Sequence, residues 1–217
     1  MEQTLKGIRV AILATDGVEQ VELVEPRRAL DNAGARTELI APKAGEIQAF
    51  KHHDKGDRFK VDRSLADVSA SEYDALFLPG GVINGDALRL EQKAVQFTRE
   101  MMLAEKPVAV ICHGGWLLVE ADAVAGRTMT SWPTLRTDIK NAGGTWVDET
   151  VHVDERLVTS RKPADIPAFS KRIVREFAAG AEESRVDQLS EASFPASDPP
   201  PGPTAVGGEG ASTTPPR

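Results

Sequence analysis

Residues 107–121, PVAVICHGGWLLVEA, carry the pattern from which the architecture follows. Val108 to Ile111 are apolar without alternation, as in a strand covered on both faces of a sheet. His113 to about Ala121 reads as a helix. Cys112 closes the strand and opens the helix, the place a nucleophile takes on a strained strand-to-helix turn. Gly114 and Gly115 let the backbone at that turn come close to a ligand or a neighbouring loop.

The same alternation recurs to either side. Asp74 to Gly81 (DALFLPGG) reads as a second buried strand, followed by a helix from about Leu90 to Ala104. Ile8 to Ala14 reads as a strand, Glu19 to Ala33 as a helix ended by Gly34, and Arg36 to Ala41 as the next strand. Short strands around Ile47–Phe50 and Phe59–Asp62 flank the polar insert KHHDKGDR, expected as a hairpin loop. Further on, TWVDETVHVDERLVTSR (residues 145–161) reads as a β-hairpin and Ile166 to Ala179 as a closing helix. The expected fold is therefore α/β, a three-layer sandwich with a mostly parallel central sheet. Ligands of such sheets bind beyond the carboxyl ends of the strands, where connections diverge. Three loops, Asp16–Glu22, Pro79–Asp86 and Cys112–Trp116, are expected to meet around one pocket.

Composition narrows the function. The chain has 217 residues, 41% of them hydrophobic, enough for one substantial core. One domain is expected over residues 1–180. Half of the 14 prolines lie after Glu191, and residues 181–217 are expected to form a disordered tail because they have too few large apolar groups to offset ordering. A net charge of −7 and a pI near 5.2 lack the basic footprint of nucleic-acid binding. No apolar run has membrane length, and the run ahead of Asp16 is too short for a secretory signal. One cysteine allows no intramolecular disulfide, and a reducing, cytoplasmic setting is expected.

A lone cysteine is most often a small buried hydrophobe, but the turn position, the adjacent His113 and the glycines argue for a reactive thiol at Cys112. A helix N-terminus favours thiolate over thiol, and His113 titrates near working pH, suiting it to carry protons. Gly80 and Gly81, after the second buried strand, could direct a backbone N–H at a developing oxyanion together with those that follow Cys112; Gly114 and Trp116 belong to the same expected binding wall. Glu19 and Glu22, three residues apart, share a helix face, and a carboxyl buried against the sulfur would hold its proton and donate it in a hydrogen bond. His52 and His53 are expected to be solvated loop residues, and neither a metal nor another cofactor is expected.

Three stretches taken together, AVICHGGWLLVEADAVAGRTMTSWPTLRTDIKNAGGTWVD (residues 109–148), LPGGVINGDALR (78–89) and DGVEQVELVEP (16–26), resemble the PfpI family of the class I glutamine amidotransferase-like superfamily. The resemblance spans Ile8 to Phe177. It implies a flavodoxin-like fold and a cysteine-dependent hydrolase, described in relatives as deglycase, glyoxalase-like enzyme, intracellular peptidase or general stress protein. By motif, Cys112 matches the nucleophile, His113 its partner, Glu22 the glutamate that bonds the sulfur, and Glu19 a second acid of that loop. In the peptidase branch a neighbouring subunit supplies an acid from the loop after PGG. Asp86 is the candidate here, preceded by Gly85 where relatives often have proline, and the bend reads HGGW where relatives commonly read HGPW. VTSRKPADIP (158–167) lacks the histidine and glutamate that glutamine hydrolysis requires, so that activity is rejected. The implied substrates are small carbonyl compounds or glycated or unfolded proteins. The implied assembly is a homodimer or larger homo-oligomer. A non-catalytic redox sensor or chaperone working through Cys112 oxidation is the competing class.

Overall fold

The computed structural model describes the backbone of residues 4–193 and the side chains of residues 4–182. Its elements are β1 (Arg9–Leu13), α1 (Gln20–Asn32), β2 (Arg36–Ala41), β3 (Glu46–Lys51), β4 (Asp54–Lys60), β5 (Arg63–Ser64), β6 (Ala75–Leu78), α2 (Val82–Leu90), α3 (Gln92–Leu103), β7 (Val108–Ile111), α4 (Gly115–Glu120), β8 (Thr128–Met129), α5 (Arg136–Asn141), β9 (Thr145–Trp146), β10 (Val151–Asp154), β11 (Leu157–Ser160) and α6 (Ile166–Ser193).

Seven strands form one sheet in the order β10-β11-β7-β6-β1-β2-β5. Only the edge pair β10–β11 is antiparallel. Strand side chains alternate between two cores, because successive residues of a strand point to opposite faces. Val10, Ile12, Phe77 and Ile111 pack with Leu23 and Leu30 of α1 and Phe169, Ile173 and Phe177 of α6. Ala11, Leu13, Leu76, Val108 and Val110 pack with Leu88, Phe97, Leu117 and Ile139 of α2 to α5. The three-layer sandwich is therefore present. Among the described residues, no helix is long and apolar enough to cross a membrane.

The order places β2 on one side of β1 and β6 on the other. The connection leaving β1 packs α1 on one face, whereas that leaving β6 packs α2 and α3 on the opposite face. The carboxyl ends of β1 and β6 thus border a crevice at a topological switch point, and Cys112 stands beside it at the end of β7.

Several local expectations are corrected. Val82–Leu90 is a helix, not a loop, and Glu91, with extended φ/ψ of −89° and 96°, separates it from α3. The Asn and Gly in VINGDALRL are weak helix formers; tertiary packing of Leu88 and the backbone turn at Gly81 override them. β9 lies outside the hairpin and pairs parallel with β8, so the hairpin reduces to β10 and β11. The insert KHHDKGDR is mostly strand: β4 starts at Asp54, and the turn is confined to His52 and His53, with His52 at φ 59°. α6 continues through residues 181–193, which the sequence reading gave to the tail. The rest of that tail, 194–217, lies outside the described residues.

Candidate functional site

Strand β7 delivers Cys112 into a left-handed backbone conformation, φ 60°. A non-glycine residue there carries strain of about 1–3 kcal/mol, maintained only where surrounding structure over-determines it. Cys112–Gly114 form a single 3-10 turn before the six-residue α4, so the expected helix begins later and is shorter. Close packing fixes the turn. A Cβ on Gly114 would lie 2.6 Å from the Leu78 carbonyl oxygen, and one on Gly80 would collide with Glu22 and lie 2.6 Å from the Cys112 Cβ. Gly81, at φ 97°, starts α2.

Glu22 occupies a core position of α1, in a stripe with Leu23, Pro26 and Leu30, and has no exposed surface. Its oxygens face the Cys112 side chain and the Gly80 N–H without closing a hydrogen bond of normal geometry. Burial is the main cause that pushes its pKa up to about 8, and the charge of Glu19 adds to it. A carboxyl in such surroundings keeps its proton at neutral pH.

The Cys112 thiol is also pushed up, first by burial and then by repulsion from an ionised Glu22; the N–H groups of His113 and Gly81 pull it down. This corrects the expectation that a helix N-terminus governs the sulfur, since a six-residue helix does not outweigh burial. The repulsion exists only while Glu22 is charged. Once Glu22 is protonated that repulsion vanishes, so the two groups titrate as a coupled pair.

His113 is buried, with Nδ1 3.3 Å from the Cys112 Sγ and Nε2 3.5 Å from the Thr134 hydroxyl. Burial lowers its pKa to about 4, so the ring is neutral at pH 7. Trp116 packs against it, 5.0 Å between ring centroids, but the Trp116 indole N–H is committed to Asp138 at 2.8 Å. Trp116 therefore backs His113 and does not line the cleft, contrary to expectation. Trp132 lines it instead. Its backbone N–H donates to the Cys112 carbonyl at 3.4 Å, and its ring lies 5.9 Å from that of His113.

A cleft of about 690 Å³ opens on the sulfur, walled by Glu19, Glu22, Gly81, Cys112, His113 and a largely apolar remainder that includes Phe50, Val82, Ile83, Trp132 and Pro163. Glu19 accepts a hydrogen bond from the His52 N–H at 3.0 Å, tying the β3–β4 turn to the rim, where His52 and His53 face the cleft. Among the described residues no cluster of three or more His, Cys, Asp and Glu is placed to hold a metal ion. Asp86 is exposed on α2 and is not among the groups that wall the cleft.

The structure thus gathers Cys112, His113, Glu22, Glu19 and Gly81 in the cleft wall, packs Gly80 and Gly114 behind it against Glu22 and the Leu78 carbonyl rather than on the expected binding surface, and leaves Trp116 and Asp86 outside the wall. Sequence reading missed Phe50, Trp132 and the fully buried Asn84. Asn84 accepts from the Thr15 N–H at 2.8 Å and donates to the carbonyls of Pro79 and Gly80, both at 3.1 Å. The polar Asn inside VINGDALR was the available signal.

The sequence model of the DJ-1/PfpI family matches residues 8–176. Protein/nucleic acid deglycase 2 of Escherichia coli (strain K12) is 40% identical over 169 residues, covering 77% of this chain and 96% of that protein. YraA of Bacillus subtilis (strain 168), provisionally named a cysteine protease, is 36% identical over 75% of this chain and 94% of its own length. The crystal structure of a two-domain protein with DJ-1/ThiJ/PfpI-like and ferritin-like domains from Anabaena variabilis superposes with a TM-score of 0.72 at 31% identity. That match covers 77% of this chain and 47% of the two-domain protein, so this chain spans about half of that protein's length.

Proposed function

The chain belongs to the DJ-1/PfpI family, and from that premise we propose that it is a cysteine-dependent hydrolase of reactive carbonyl compounds, acting on dicarbonyls such as methylglyoxal or on their adducts with proteins. The observation that carries this reading is the Cys112–Glu22 pair. A strained thiol and a buried carboxyl that holds its proton at neutral pH share the floor of a mostly apolar cleft.

In the reactive form the proton sits on Glu22 and the negative charge on sulfur. The sulfur electron pair forms a bond to the aldehyde carbon while the C=O π pair moves to oxygen, close to the N–H groups of Gly81 and His113. That oxygen takes a proton from solvent through the neutral His113 ring, giving a hemithioacetal. For a 1,2-dicarbonyl, the proton on the attacked carbon then moves by way of an enediol to the neighbouring carbon, giving a thioester. Water cleaves the thioester to a 2-hydroxy acid and returns the thiol. The sequence is an internal redox exchange and needs no external oxidant.

Peptide hydrolysis asks more, because an amine must be protonated as it leaves and an acid behind the histidine assists that step. The Nε2 of His113 meets the Thr134 hydroxyl rather than a carboxylate, and Asp86 is exposed outside the cleft wall. Carbonyl chemistry is therefore the better match.

The test is methylglyoxal consumption with 2-hydroxy-acid formation, comparing the full chain with Cys112→Ala. The wild type should turn over and the variant should not. Equal inertness of both proteins toward aldehydes, with peroxide adding oxygen to the wild type in intact-mass spectra, would favour the redox-sensor reading instead.

A further inference from the structure

Asn84, in the first turn of α2, has no exposed surface, and an amide is buried without penalty only when its polar atoms are matched. Here the partners are all backbone groups of two loops: Oδ1 takes the Thr15 N–H, and Nδ2 gives to the Pro79 and Gly80 carbonyls. In a planar trans peptide the carbonyl and the following N–H point in opposite directions. The Pro79 carbonyl therefore turns as one body with the Gly80 N–H, and the Gly80 carbonyl with the Gly81 N–H. Those two N–H groups are the ones directed at Glu22 and at the Cys112 sulfur, respectively.

We propose that Asn84 is the positioning residue of this site: by gripping two successive carbonyls it aims two successive N–H groups at Glu22 and Cys112. The inference deepens the proposed function, resting on Cys112 as the reacting group. One side chain on α2 thereby orients donors for both members of the coupled pair, although it touches neither. The Glu19 N–H, 3.3 Å from the Gly80 carbonyl, holds that carbonyl as well but leaves the Pro79 carbonyl to Asn84.

The other ionisable groups that wall the cleft around the sulfur are Glu22 from α1, Glu19 at its start, His113, and His52 and His53 from the β3–β4 turn. All stay in place in the test variants. The experiment follows the iodoacetamide alkylation rate of Cys112 against pH by intact mass, in the full chain and in Asn84→Ala and Asn84→Asp. Loss of the aimed donors should move the alkylation midpoint to higher pH, and a shift of one unit corresponds to about tenfold slower alkylation at neutral pH. Asn84→Asp keeps the acceptor for Thr15 but, with at most one O–H, cannot donate to both carbonyls, so it should fail to restore the wild-type profile. A purely structural role predicts lower stability with an unchanged midpoint, and that result would overturn the proposal.

Should both variants fail to fold, NMR of the wild type decides. The Asn84 Nδ2 protons and the Gly80 and Gly81 amides should shift with one common midpoint; a side-chain signal that stays fixed while the two amides move would refute the coupling. Alkylation reads the thiol directly, so a wild type inert toward aldehydes sinks the proposed function while this measurement still stands.

Discussion

At Cys112 backbone and side chain make opposing demands: the main chain is held at φ 60°, while the thiol is buried beside an acid. The acid makes the testable difference. The folded pKa of Glu22, about 8, lies above its ordinary value of 4.5, so between those values the folded chain holds more protons than the unfolded one. Stability contributed by this group is present below pH 4.5 and is lost as pH climbs through 8. His113, lowered to about 4 from 6.5, acts in the reverse sense: its contribution is present above 6.5 and is lost as pH falls toward 4. From pH 6.5 to 8 the Glu22 slope therefore stands clear of the His113 one. Glu22→Gln keeps a donor but cannot ionise; urea unfolding should show it gaining on the wild type across that interval, reaching a few kcal/mol at pH 8. Parallel pH profiles would mean that Glu22 does not hold its proton in the folded chain.

At the scale of elements, the site depends on how α2 begins. Gly81 adopts φ 97°, and a Cβ there would lie 2.7 Å from the Glu19 N and collide with the Gly17 carbonyl. Gly81→Ala therefore imposes both a strained backbone and a clash with the α1 entry. The expected cost is about 2 kcal/mol or more, with slower alkylation of Cys112, because the Gly81 N–H turns away from the sulfur. Thermal unfolding and iodoacetamide kinetics measure the two effects, and a fully stable variant with wild-type reactivity would show that the loop tolerates another geometry. α2 itself escaped the sequence reading because Asn84 and Gly85 dilute its helical pattern. The short β8 and β9 escaped because two residues leave no periodicity to read. Boundaries of this kind are set by packing and by turns, which a local pattern does not contain.

For the molecule as a whole, β1, β6 and β7 are the innermost strands of a sheet buried under helices on both faces, whereas most residues of β4 are exposed. Native-state hydrogen exchange should find amides of β6 and β7 opening only with global unfolding, and those of the β3–β4 hairpin at much lower free energy. Equal protection of hairpin and central strands would contradict this layering. Because Phe50, His52 and His53 of that hairpin wall the cleft, its opening would also widen access to the sulfur. By itself the sequence determined the buried strands, the mostly parallel α/β sandwich and the bend that presents Cys112, because unbroken apolar runs and glycines at a strand end act over a few residues. It also marked Glu22 and Gly81 as neighbours of that bend. Only the tertiary structure decided that Trp132, not Trp116, walls the cleft, that Asp86 is exposed outside that wall, and that Asn84 grips the PGG loop. It also reversed the expected bias on the thiol. Local sequence supplies the helix turn that would favour an ionised sulfur, but burial by distant elements sets the cost of charge, and that cost is the larger effect here.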